Sequence, residues 1–192
     1  AIEKAGAYNI VSGSSEALEA MMPQASQYAA IDLLLGLERD DKHSLNYYKT
    51  FSSTMRKTLM HYTAQGGALM VSGAHIGSDM QDAEEQQFLA NVLKCQYAGR
   101  YADTNSTVTG LGTAIQYWNR LNAEHYAAVT TDVLMPVGSA YIAMQYADGQ
   151  DAAVAYNGND YRAFTMGFPF ECIKDEKKRD SIMRGILNYL IK

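Results

Sequence analysis

The segment from Gly66 to Asp79 constrains the fold of this chain more than any other part of the sequence. Its run Ala68–Ser72 is short and apolar, which predicts a strand buried on both faces. A sharp turn follows, in which Gly73 and Gly77 flank His75. A strand that enters such a turn ahead of a helix lifts one side chain above the edge of a sheet, as a nucleophile elbow does. Here the lifted residue is His75.

The first half of the chain alternates between predicted strands and helices. Strands are predicted at Tyr8–Ser12 and Ala29–Leu35, and helices at Glu16–Met22, Ser52–Gln65 and Asp82–Lys94. This alternation predicts a mainly parallel sheet with helices on both faces. Ligands of such a sheet bind beyond the carboxyl ends of its strands, so the polar residues at those ends form the candidate site.

The pattern changes in the second half. Residues 97–147 carry short pieces rich in Tyr and Thr, which predict a decorating insertion of antiparallel strands or loops. Ala152–Tyr156 and Arg162–Gly167 predict a strand pair joined by a turn, and Lys174–Ile191 predicts a closing amphipathic helix. We expect residues 1–192 to form one domain. The chain begins without Met or a signal segment, so either a leader was removed or the domain was excised from a longer protein. The strand-like sequence that begins at Tyr8 favours the second.

Charge and composition exclude several classes of function. The net charge is −5 with a single short basic run, Lys177–Arg179, which argues against a nucleic-acid partner. No apolar stretch reaches the length of about 20 residues that a membrane span needs. Cys95 and Cys172 are either buried free thiols or a disulfide. Because no Cys/His cluster has zinc spacing, we expect no cofactor.

Two residues at the strand ends are the candidate catalytic pair. His75 can act as a base, a metal ligand or a ligand-binding group, or it can hold the turn through hydrogen bonds. Glu171 follows the late strand at the same edge of the sheet. It can pair with His75 and raise the pKa of the imidazole, or it can cap the last helix.

Other polar residues at the same edge are candidate ligand-binding groups. Asp79, Glu38 and Glu16 can join His75 as ligands of a hard metal ion, or they can form a solvated acidic rim. The turn that begins at Ser12 can cradle an anion or simply cap a helix. The candidate ligand-binding set is Ser12, Glu16, Glu38, Gly73, Gly77 and Asp79.

Three stretches carry a resemblance to a known family: Asp32–Glu38, Gly66–Asp79 and Gly167–Ile173. In their order and context they resemble class I glutamine amidotransferase-like domains, especially those of secreted Bacteroidetes proteins labelled xanthan lyase or N-acetylmuramoyl-L-alanine amidase. The resemblance implies a flavodoxin-like three-layer α/β/α fold and an extracellular or periplasmic location. It also implies other domains in the same polypeptide and a glycan or cell-wall ligand.

The residues that carry the family's chemistry differ here. The amidotransferases have a Cys at the elbow, and a His and a Glu two residues apart after a late strand. In this chain His75 holds the Cys position and Pro169 holds the His position, while Glu171 matches the Glu. A thiolate nucleophile and its activating His are both absent from these positions, which argues against glutaminase activity.

Three functions follow from these observations. The first is a non-catalytic scaffold or ligand-binding module of a protein that processes glycans or cell walls. The alternative is a hydrolase, an amidase or a glycan-active enzyme, with His75 as general base and Glu171 orienting it. The third is an assembly domain that uses residues 97–147. Fourteen Tyr and one Trp, Trp118, can stack on sugars or can simply pack in the protein.

Overall fold

The main sheet of the protein mixes parallel and antiparallel strands. The structure, a computed structural model, describes residues 1–21, 27–40, 42–43 and 48–191. The order of strands across the main sheet is β1 (Ala30–Leu34), β2 (Ala68–Ser72), β9 (Arg162–Met166), β8 (Asp151–Asn157), β7 (Tyr141–Tyr146), β4 (Thr107–Gly110) and β5 (Thr113–Gln116). The strands β3 (Cys95–Tyr101) and β6 (Thr131–Pro136) form a separate antiparallel pair.

The predicted flavodoxin-like, mainly parallel three-layer fold is wrong. Of the strand pairs described, β1 with β2 and β2 with β9 are parallel, and the other five are antiparallel. The strand–helix alternation of the first half produces only β1 and β2. The chain after residue 94 supplies the other strands, many of them joined by short connections that impose antiparallel pairing. The result is a curled, mostly antiparallel sheet.

Five α-helices accompany the sheet in the described part of the chain. They are α1 (Ile2–Ala5), α2 (Ser15–Ala20), α3 (Ser53–Ala64), α4 (Ala83–Phe88) and α5 (Glu176–Leu190). A π-helical turn, Leu89–Leu93, continues α4, and a 3-10 turn, Phe170–Cys172, precedes α5. The helices predicted at 52–65, 82–94 and 174–191 are therefore confirmed, with Ser52, Asp82 and Asp175 as their N-caps.

The predicted first strand, Tyr8–Ser12, is wrong. Residues 8–14 have no regular structure, and Ile10 and Val11 are exposed. With no apolar surface to cover them, these side chains gain nothing from pairing along the free edge of β1. The helix predicted at Glu16–Met22 is α2, and Ser14 is its N-cap. Its predicted end, Met22, lies outside the described residues.

Apolar side chains fill the space on both faces of the sheet. Ala68 and Met70 of β2 share one cluster with the buried stripe of α5, which includes Ile186. Leu69 and Val71 point the opposite way and share a second cluster with residues of α3 and α4. Strands β4, β5 and β7, from the segment 97–147, extend the same sheet. Whether that segment is an insertion stays a prediction.

Both cysteines are buried free thiols, which settles the alternative left open by their spacing. Burial raises the pKa of the Cys95 thiol to about 12 and that of Cys172 to about 11. In the described residues, no helix has the length and apolar character that crossing a membrane requires.

Candidate functional site

His75 lies in the turn that follows β2, as predicted, and its side chain is buried. Its Nδ1 lies 3.3 Å from the Ser78 hydroxyl, and its carbonyl oxygen accepts a hydrogen bond from the Thr50 hydroxyl at 3.3 Å. Burial and the positive charges of Arg39 and Arg100 together lower the pKa of the imidazole to about 4. The ring is therefore neutral at pH 7.

Asp132, a residue of β6, anchors the turn that carries His75. Its Oδ2 accepts hydrogen bonds from the backbone amides of Gly77 at 2.7 Å and Ser78 at 2.8 Å. Its Oδ1 is buried without a hydrogen-bond partner. Burial raises the pKa of this carboxyl to about 6, although the two amides favour its charged form.

Close packing requires the glycine at position 77 and leaves little space for a side chain at Gly73. A Cβ on Gly77 would lie 2.8 Å from the Cβ of Tyr97, and a Cβ on Gly73 would lie 3.1 Å from Ile76 Cδ1. Both residues shape the turn. The prediction that Gly73 and Gly77 bind a ligand is untested by these contacts.

Asp79 holds a neighbouring loop in place. Its two carboxylate oxygens accept hydrogen bonds from the backbone amides of Thr50 at 2.8 Å and Asp40 at 3.2 Å. Its carbonyl oxygen accepts a hydrogen bond from Lys49 Nζ at 2.6 Å, and the same ammonium lies 3.0 Å from Glu85 Oε1. The carboxylate is therefore engaged in structure, which leaves it little capacity to bind a ligand.

Glu171 contacts Tyr126, and its charge acts on Asp32, whereas no described contact joins it to His75. One of its oxygens, Oε1, accepts a hydrogen bond from the Tyr126 hydroxyl, and the other is buried without a partner. The Oδ1 atom of Asp32 is also buried without a partner. Burial and the negative charge of Glu171 together raise the pKa of Asp32 to about 7. The predicted pairing that raises the His75 pKa is wrong, because that pKa is lowered.

Gly36, at the turn after β1, lies beside Glu171 and Tyr126. Its φ is +51°, a conformation that favours glycine. A Cβ at this position would lie 3.5 Å from Glu171 Oε1 and 3.4 Å from the Tyr126 hydroxyl oxygen. The amide of Ala74 donates to the Gly36 carbonyl at 2.8 Å, which ties this turn to the one that carries His75.

The remaining predicted residues form an acidic rim. Ser12 and Glu16 are exposed, and a hydrogen bond from Ser14 lowers the pKa of Glu16. Glu38 is half-buried, and burial together with the charges of Glu16 and Asp79 raises its pKa. Among the residues that the structure describes, no group of His, Cys, Asp or Glu is arranged to hold a metal ion.

Sequence reasoning missed the roles of Asp132, Tyr126 and Asp32. Asp132 stands in β6, a strand that was not predicted, and an acidic residue within the run Thr131–Met135 is the signal that was available. Asp32 likewise interrupts an apolar strand. An isolated carboxylate in a buried strand indicates a hydrogen-bonding or titrating role. Tyr126 gave no such signal, because its partner is distant in the sequence.

A groove of about 410 Å³ lies elsewhere, and none of the predicted site residues lines it. Its walls include Thr104, Gln116, Trp118, Asn119, Arg120 and Lys174. The backbone amide of Trp118 donates to the Cys172 carbonyl at 2.9 Å, and the Trp118 carbonyl accepts from Ala128 at 2.9 Å. These two hydrogen bonds fix the backbone of Trp118 between Cys172, the residue after Glu171, and Ala128.

No protein-family model matches the chain, and no curated protein does. Solved structures do match. The cytoplasmic protein STM1381 from Salmonella typhimurium LT2 has a TM-score of 0.65 at 9% identity, over 100% of this chain and 87% of that one. The GH42 β-galactosidase Gan42B from G. stearothermophilus has a TM-score of 0.56 at 13% identity, over 85% of this chain and 22% of that one.

A third match is the polyextremophilic β-galactosidase from the Antarctic haloarchaeon Halorubrum lacusprofundi. Its TM-score is 0.51 at 17% identity, over 90% of this chain and 26% of that one. This chain thus spans 22% to 26% of the length of the first glycosidases that it matches. At these identities the likeness shows a shared fold. None of these structures is described as a glutamine amidotransferase or a flavodoxin. The predicted glutamine amidotransferase-like and flavodoxin-like character of the chain is therefore not supported.

Proposed function

We propose that this chain acts on glycans and binds a saccharide in the groove beside Trp118. The observation that carries this proposal is the composition of the groove. An indole lies there among carboxamide and cationic side chains, including Gln116 and Lys174. Indole rings stack on the apolar faces of sugar rings, while amides and cations bind their hydroxyls and carboxylates.

The fold of the chain is compatible with this proposal. Its matches include parts of two β-galactosidases and of an exo-β-1,4-mannosidase. Each of those chains is several times longer than this one, so a fold of this kind accompanies glycan-active domains in larger proteins. This supports the glycan part of the prediction better than it supports an inert scaffold.

Calorimetric titration of the intact chain with short oligosaccharides tests the proposal. A ligand present at about 100 times its Kd adds about 2.7 kcal/mol to the free energy of unfolding, so a thermal-shift screen identifies candidates first. We expect binding to at least one oligosaccharide and its loss in Trp118→Ala. Trp118→Phe, which keeps an aromatic face, should retain part of the binding. An absence of binding to every saccharide, or binding that survives Trp118→Ala, would overturn the proposal.

A second candidate function is hydrolysis at Asp32 and Glu171. The observation that favours it is the raised pKa of Asp32, about 7, beside a second carboxyl group whose Oε2 is also unpartnered. Glycosidases use one protonated and one ionised carboxyl group, with pKa values set apart by their surroundings. In this candidate mechanism Asp32, with its raised pKa, is the general acid. None of the described contacts joins His75 to either carboxyl group, so His75 has no role in it.

Release of reducing ends from the oligosaccharides bound in the first experiment tests the second candidate. We expect Asp32→Asn and Glu171→Gln to abolish release while the binding at Trp118 persists. Asp148→Asn, an exposed substitution in the turn before β8, is the matched control and should leave the rate unchanged. A chain that binds without releasing reducing ends would be a binding module alone.

A further inference from the structure

We infer that the Trp118 groove selects saccharides that carry carboxylates, such as oligosaccharides of uronic acids. This inference rests on the proposed function and names the ligand class of the same groove. It comes from the charges that line the groove, which are opposite in sign to the charge of the chain as a whole.

The groove is a cationic site on an acidic protein. The net charge of the chain is −5, yet Arg120 and Lys174 both line this groove. Of the residues described by the structure, none of those lining it is acidic. A low-dielectric wall that presents only one sign of charge concentrates ligands of the opposite sign.

The acidic residues that adjoin the groove along the chain are already engaged. The Asp103 carboxylate accepts a hydrogen bond from the backbone amide of Asn105 at 2.9 Å. The Asp175 carboxylate caps α5 by accepting from the backbone amide of Lys178 at 3.0 Å. Both carboxylates therefore point to backbone donors, and the two cations remain available to a ligand.

Lys174 is placed to bind a carboxylate above the indole. Its backbone amide donates to the Gln116 carbonyl at 2.9 Å, which fixes the base of the side chain. Its ammonium lies 5.0 Å from the centre of the Trp118 ring. A cation–π contact at an exposed position is weak, and a charge-assisted hydrogen bond to a carboxylate is stronger. The ammonium can therefore turn from the ring to a carboxylate while a sugar covers the indole.

The rest of the groove is built to keep its shape. Asn119 is buried, and its amide donates to the carbonyl oxygens of Asp103 at 3.1 Å and Thr104 at 3.0 Å. The His125 ring stacks on the indole at 5.1 Å between centroids and does not line the groove. Both contacts limit the motion of the wall, so little ordering is needed when a ligand binds.

A second groove extends the site along the chain. It has a volume of about 330 Å³ and shares Gln116 and Lys174 with the first. Lys178 and Asp175 also line it. Lys178 Nζ donates to the Ala114 carbonyl at 2.7 Å, and Asp175 Oδ1 accepts from the Lys178 amide, so the second groove is less cationic than the first. The strongest contacts of an oligomer with a carboxylate on each residue are therefore expected at Arg120 and Lys174 in the first groove.

Titration with short oligogalacturonates, and with the same oligomers after their carboxyl groups are reduced to alcohols, tests the inference. The two ligands share linkage and length and differ in charge. We expect the charged ligand to bind more tightly, by about tenfold for each carboxylate that meets a cation. We also expect its Kd to rise with salt, whereas the Kd of the reduced ligand stays constant.

Charge-removing variants separate this inference from the proposed function. Lys174→Gln and Arg120→Gln should each weaken the charged ligand by about tenfold and weaken the reduced ligand much less, because the reduced ligand loses only a hydrogen bond to a hydroxyl. Lys57→Gln removes the same charge from an exposed position on α3 and should change the Kd of neither ligand. Equal binding of both ligands that is insensitive to Lys174→Gln would overturn the inference and leave the proposed function standing. If neither these ligands nor any other saccharide binds the wild-type chain, both fail.

Discussion

The Asp132 carboxylate lies 2.7 Å from the backbone nitrogen of Gly77, and this contact joins β6 to the turn after β2. The amide of Ser78 donates to the same oxygen at 2.8 Å. One acceptor thus satisfies two consecutive amides of a buried turn. The position of His75, between β2 and those amides, depends on a residue from a different part of the chain.

We expect Asp132→Ala to lower the free energy of unfolding by about 2–4 kcal/mol, because two buried amides lose their acceptor. Asp132→Asn keeps one oxygen as an acceptor and should cost less. Urea denaturation of the two variants and the wild type measures the difference. An alanine variant within about 0.5 kcal/mol of wild type, the usual range of a surface substitution, would show that the contact does not hold the turn.

Asp32 should make the protein less stable as the pH rises. Its pKa is about 7 in the fold, against 3.8 for the unperturbed group, because of burial and the charge of Glu171. Between these two values the folded protein holds a proton that the unfolded chain has released. The contribution to stability is therefore complete below pH 3.8 and is lost as the pH rises through about 7.

Asp32→Asn should remove this dependence and stabilise the protein by on the order of 1–3 kcal/mol at about pH 8. Glu3→Gln, which neutralises an exposed carboxyl group on α1, is the control. It should change neither the pH dependence of stability nor the stability at alkaline pH. Urea denaturation across the pH range provides the measurement. A variant that is less stable than wild type at alkaline pH would contradict the raised pKa.

His75 should make the protein less stable as the pH falls, which is the opposite of the effect of Asp32. Its pKa is lowered from 6.5 to about 4, so the unfolded chain binds a proton that the folded protein does not. The stability from this group is present above pH 6.5 and is lost as the pH falls toward 4. An NMR titration of the imidazole proton resonances measures the pKa of His75 directly, and the resonance that is missing in His75→Gln identifies the signal. A midpoint near 6.5 would show that the ring is accessible to solvent and available as a base at neutral pH.

Elements with a local signal were predicted from the sequence. The helix that begins after Ser52, the apolar stripe of α5 and the turn between β8 and β9 each depend on residues close together in the chain. The cap of α5 was missed, because Asp175 and not Glu171 accepts from its first turn. The order of the sheet has no such signal. Met70 of β2 pairs with Phe164 of β9, and nothing near either residue specifies that choice.

The candidate site divides in the same way. The turn at His75 was predicted, because its two glycines and the strand before it are contiguous. The hydrogen bond from Tyr126 to Glu171 and the charge that Glu171 exerts on Asp32 were not predicted, because they depend on how distant segments come together in the fold. Asp32, Tyr126 and Glu171 lie in three segments that are distant in the sequence, and only the folded chain brings them close enough to interact.

Gly167 and Gly185 should respond in opposite ways to the same substitution. A Cβ on Gly167 would lie against the carbonyl oxygen of Asp132, well inside contact distance, and 3.0 Å from its carbonyl carbon. That backbone is fixed, since the Asp132 amide donates to the Gly167 carbonyl at 2.9 Å. Gly167→Ala should therefore lower the free energy of unfolding by about 3 kcal/mol through overpacking.

Gly185 lies in the middle of α5, and a Cβ there meets nothing within 4 Å. Gly185→Ala should raise the free energy of unfolding by about 0.5–1 kcal/mol, because Ala has the higher helix propensity. Thermal and urea denaturation of both variants compare a glycine required by packing with one that is not. If Gly167→Ala were as stable as Gly185→Ala, β6 and the end of β9 would have room to separate. The contact between Asp132 and the His75 turn would then be looser than the hydrogen bonds to Gly77 and Ser78 require.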